Sequence, residues 1–136
     1  MRSRTAVWIN MISATIVELA VFAQAYFIAA WATDGDETPL DLHAFTGSWI
    51  VHPAELVVFI SALFAFWGVW RWVGAGALLL LLGTVQILLA PPDEDPASGW
   101  VHGLHGLLAI VVLVVAAVVQ HHDMRLLRQR ALPPAP

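Results

Sequence analysis

Six side chains are ionisable or strongly polar yet stand inside long apolar stretches: Glu18 and Gln24 in residues 6–31, His52 and Glu55 in 46–70, Gln86 in 72–90, and His105 in 100–119. His43 and His102 stand where the second and fourth stretches begin. A charged group at the centre of a bilayer costs about 2.5–3.5 kcal/mol even on a lenient scale, so such residues normally face a bundle interior and act there. Imidazole and carboxylate together offer two chemistries. His52 and Glu55 form HxxE, a pair three residues apart on one helix face, and His102 and His105 form HxxH. With Glu18 added from the first stretch, Glu18, His52, Glu55, His102 and His105 form a candidate metal set suited to Fe, Cu or Zn. The same Glu18 and Glu55 could instead carry protons. The structural alternative is that one polar group per stretch glues membrane helices together, at roughly 0.6–2 kcal/mol each.

Glycine spacing adds a third possibility. His43 and Gly47, like His102 and Gly106, are four residues apart and share a helix face, so each glycine leaves room beside an imidazole for a flat ligand. His52 and His102 lie two or three residues inside Trp49 and Trp100, which sets them at similar height. Glu18, Glu55, Gln86 and His105 form a deeper layer, each about 12 to 15 residues from the opposite end of its stretch. His43 and His52 are nine apart, about 180° around an ideal helix. They can line one pocket only if Pro53 bends or breaks the helix.

The elements that must position these groups follow from composition. Of 136 residues 60% are hydrophobic and 12% charged, with a mean hydropathy of +0.77, against about 45–50% and 25% for soluble domains. Each apolar stretch approaches or exceeds the roughly 20 residues that cross a bilayer. The expected fold is therefore all-α, an integral membrane four-helix bundle occupying 1–120, with a cytoplasmic tail over 121–136. The first stretch, 26 residues long after Arg2 and Arg4, is too long for the apolar core of a signal peptide and reads as a retained span. The connections 32–42 and 91–99 are acidic and rich in Pro and Gly, as water-exposed breaks should be. Every basic residue (Arg2, Arg4, Arg71, Arg125, Arg128, Arg130) lies near the N-terminus, in the second connection or in the tail. The positive-inside rule then places both termini in the cytoplasm, N-in/C-in, in a bacterial inner membrane. His121 and His122 read as solvated tail residues, and the tail as a frayed helix end followed by disorder. A net charge of −4 with no basic run excludes a nucleic-acid binder. The absence of cysteine removes disulfides, thiolate metal sites and iron–sulfur clusters. The expected partners are the lipid bilayer and either further subunits of a respiratory or other membrane complex or a second copy of the chain.

Three segments carry a resemblance: Leu42-His43-Ala44-Phe45-Thr46-Gly47 leading to His52, Gln86 with Leu89, and Val101-His102-Gly103-Leu104-His105-Gly106-Leu107. They resemble an uncharacterised family of small bacterial four-span membrane proteins. The layout is also similar to half of a haem A synthase and, more loosely, to cytochrome b561-type bundles. That likeness implies haem b as cofactor, with His43 or His52 as one axial ligand, His102 or, in its place, His105 as the other, and Gly47 and Gly106 beside the ring. Haem A synthases carry Arg directly after the key histidine, where Ala44 and Gly103 stand here. The likeness therefore implies electron transfer or a redox role on the outer side rather than oxidation of a haem side chain, and it leaves enzyme status open.

Overall fold

The computed structural model describes residues 3–90 and 99–131, all of whose regular structure is helical. α1 (Arg4–Asp34) opens on Ser3, whose hydroxyl accepts the Ala6 N–H, and closes on Gly35, left-handed at φ 68°, whose N–H donates to the Trp31 carbonyl. Gly35 is required there because a Cβ is strained in that conformation. The connection 91–98 and residues 132–136 lie outside the described residues.

The second span starts earlier than its hydropathy suggests. α2 (Glu37–Thr46) is capped by Asp36, which accepts hydrogen bonds of 3.0 Å from the backbone N–H and the hydroxyl of Thr38. Pro39 falls in the first turn, where a missing N–H removes no helix bond. The Asp/Pro cluster thus starts a helix instead of breaking one. A π-helical turn, Gly47–Val51, joins α2 to α3 (His52–Ala65), so 37–65 form one rod of 29 residues. In that turn the His52 N–H donates to the Gly47 carbonyl, five residues back.

A short bend with Gly68 at φ 82° leads into α4 (Trp70–Leu88), and α5 (Gly99–Ala131) ends the chain. No break in α5 occurs at residue 121. Its last three turns stay helical and bury Asp123 and Leu127, in contrast to the frayed end expected for that segment.

Four helices are thus long and apolar enough to cross a membrane: α1, the 37–65 rod, α4 and α5. α1 packs against the rod and α5, α4 packs against α3 and α5, and α3 and α5 stand diagonally opposite without a close backbone approach. Small residues fill the core. Ala14, Val17, Val21, Ala54, Val58, Leu79, Val112 and Ala116 form a central cluster, and Val7, Ala62, Ala65, Phe66 and Val73 close one end. Such residues let helix backbones approach where lipid offers no hydrophobic drive. At Gly76 a Cβ would stand 3.1 Å from the Phe59 Cα, so α3 and α4 meet there through glycine. Large side chains such as Leu19, Phe22, Tyr26, Phe64 and Leu88 point outward, as a lipid-contacting surface requires.

Candidate functional site

Two imidazoles from different spans converge at the end of the bundle that carries the acidic first connection. The rings of His43, on α2, and His105, on α5, have centres 6.0 Å apart and planes inclined by 58°. Each is held from a further helix. His43 Nδ1 lies 3.2 Å from the Gln24 carbonyl, and Gln24 Nε2 donates in return to the His43 carbonyl at 3.2 Å. A backbone carbonyl only accepts, so Nδ1 carries the proton and Nε2 presents its lone pair. This arrangement typically orients a metal-ligating histidine. The His105 ring lies against the backbone of Gln86, on α4, and its Nδ1 is buried without a partner.

Of the two histidines at the start of the fourth span, it is His105 that reaches His43. His102, one turn earlier on α5, is exposed. Gly47 leaves room as expected, but Gln24 fills it: a Cβ at Gly47 would lie 2.6 Å from Gln24 Nε2. Gly106 and Gly103 open onto free space.

A second cluster lies on the following turns of the rod. His52 Nδ1 is 3.3 Å from Glu55 Oε2, and Glu55 is fully buried, its carboxyl seated where Gly83 of α4 has no side chain. Any Cβ at Gly83 would overlap that carboxyl. The π turn also changes the relation between His43 and His52. One extra residue per turn removes about 100° of phase, so the expected 180° falls to about 80°. Pro53 neither breaks nor ends the rod.

In this half of the bundle four buried polar atoms have no protein partner, Glu18 Oε1, Glu55 Oε1, Gln86 Oε1 and His105 Nδ1, and Asn10 Oδ1, Trp72 Nε1 and Asp123 Oδ2 are the same at the opposite end. Among the described residues no three His, Asp or Glu side chains are grouped as a metal cage would need. The set Glu18, His52, Glu55, His102 and His105 is therefore present as the pair His52–Glu55 and the neighbours His102 and His105, with Glu18 on a separate helix.

The opposite end holds polar groups that were harder to foresee. Asn10 Nδ2 donates to the Val58 carbonyl at 2.6 Å and to Ser61 Oγ at 2.8 Å, tying α1 to α3. His122 stacks on Trp72 with ring centres 3.6 Å apart, touches Phe66, and lies 3.3 Å from the buried Asp123. It is thus a packed residue, where a solvated one was expected, while His121 is exposed. Asn10 within an apolar run was a signal that could have been read; the Gly83–Glu55 fit carries none in the sequence.

Comparison with known proteins finds no match: no family model fits the chain, and no curated protein or solved structure is similar to it.

Proposed function

We propose that the chain is a small membrane haem-b-binding protein with an electron-transfer or redox role, His43 and His105 being the axial ligands. The supporting observation is the convergence of these two rings. Two imidazoles that held one metal atom between them through bonds of about 2.1 Å would have ring centres up to about 6.5 Å apart, and the observed separation is 6.0 Å. The donor chemistry fits as well, since His43 offers a lone pair fixed by a backbone carbonyl. Bound between two imidazoles, a haem supplies one-electron chemistry. The chain's own contribution is to fix the His43 ring from α1, through Gln24, and to set the His105 ring against the Gln86 backbone of α4. The gap at Gly47 is not part of that fit, because the Gln24 amide occupies it.

We place this site near the extracytoplasmic leaflet of a bacterial inner membrane, both termini cytoplasmic, because the arginines gather at the other end. A second reading, a proton or non-haem metal site, is favoured by a different observation: the pairing of half-buried His52 with buried Glu55 and the partnerless oxygens of Glu18, Glu55 and Gln86. As a third, a cofactor-free accessory subunit would use Asn10–Ser61 and the same polar layer as interhelical glue. Purification with visible spectroscopy separates them. The haem reading expects a Soret band lost in His43→Ala and His105→Ala but kept in His52→Ala. The metal reading expects no Soret band, and Fe, Cu or Zn that disappears in Glu55→Ala.

A further inference from the structure

At the arginine-bearing end, a groove of about 420 Å³ runs along the outside of α5 beside the start of α4. Its floor is Val114, Ala117 and Val118, one wall is Trp72, and His121 and Arg125 close its end. The Trp72 ring is fixed from two sides, stacked on His122 and lying 5.6 Å beneath the Arg71 guanidinium. The wall is therefore held in place by its neighbours.

The geometry points to a specific site for an acidic phospholipid, its acyl chain along Val114–Val118 and its phosphate at Arg125 and His121. Two observations select that occupant. Val114 and Arg125 are eleven residues apart, about 16 Å along the helix axis, which matches one leaflet of a hydrocarbon core about 30 Å thick. A single lipid thus reaches from the apolar floor to the basic mouth. The charge is also uncompensated. Among the described residues neither Arg71 nor Arg125 has a carboxylate partner, and the nearby acid, Asp123, is fully buried and bonded to His122. An ordinary annular lipid needs only the apolar surface; cations without counterions favour a headgroup with net negative charge, by about fivefold per arginine near the surface. This site is independent of the His43–His105 proposal, being at the other end of the bundle.

The test is native mass spectrometry of the full-length protein in detergent, titrated with phosphatidylglycerol and with phosphatidylcholine of the same chain length. The expected result is one phosphatidylglycerol per chain held at least about fivefold more tightly than phosphatidylcholine. Arg125→Gln should bring that ratio close to one, and Ala117→Trp, which fills the floor and leaves every charge in place, should abolish the tight equivalent. Equal retention of the two lipids by the unmodified protein would overturn the assignment. So would a preference that survives both substitutions.

Discussion

At one end of the bundle Asn10 donates two short hydrogen bonds to α3, and His122 lies wedged between Trp72 and Asp123. At the other end Glu55 is sealed against a glycine with a single partner, and Glu18, Gln86 and His105 each keep a buried polar atom unpaired. Both ends bury polar groups and both leave atoms unpaired, Asn10 Oδ1, Trp72 Nε1 and Asp123 Oδ2 at the first, but there Asn10 and His122 also clamp helices together, whereas Glu18, Gln86 and His105 form no such clamp. Buried groups without partners carry a cost that packing must offset, so the end where they do not also tie helices together is the better candidate for a functional centre.

That contrast can be broken most forcefully at Gly83. Gly83→Ala puts a methyl where the Glu55 carboxyl sits and should destabilise the bundle by about 3 kcal/mol, as overpacking against a buried polar pair does. Unfolding in mixed micelles measures it, and Glu55→Ala in the same background should recover about 2 kcal/mol of the loss if the two positions are coupled. At the clamp end, His122→Ala removes the stack on Trp72 and the bond to Asp123, an expected loss of about 2 kcal/mol. The exposed neighbour His121→Ala should stay within about 0.5 kcal/mol. Asn10→Ala should cost about 1 kcal/mol in the same assay, the typical value of an interhelical hydrogen bond in a membrane.

The smallest effect concerns the helix start that sets the position of His43. Hydrogen bonds from the backbone N–H and hydroxyl of Thr38 hold the Asp36 carboxyl below its usual range. The cap therefore contributes stability above the ordinary carboxyl pKa and loses it as pH falls through the lower folded value. Amide exchange at Thr38 should quicken with acidification across that window, beyond its intrinsic pH dependence, and Asp36→Ala should abolish that extra component.

Four helices were legible in the sequence because 20-residue apolar runs admit few other outcomes, and polar residues within them marked the site region. What could not be read was the start and phase of the second span. Asp36, Pro39 and Asp41 look like a loop by composition, yet Asp36 caps and Pro39 tolerates a first helical turn. The π turn at Gly47–Val51, which rotates His52 relative to His43, leaves no mark in hydropathy; it lies just before Pro53, which lacks an N–H and crowds the carbonyl four residues back. The choice of His105 over His102 depends on which face of α5 meets α1 and α4, and two histidines three residues apart cannot decide it. The resemblance supplied both histidines as candidates, and only coordinates separate them.

The central claim is that His43 and His105 grip one iron. Visible absorption of the purified protein, as isolated and after addition of haem, tests it most directly when His43→Ala, His105→Ala and His52→Ala are measured beside the unmodified chain. The account predicts a Soret band in the unmodified protein and in His52→Ala, and its loss in the other two. A protein that stays colourless with haem supplied, or a band that persists without both His43 and His105, would contradict it.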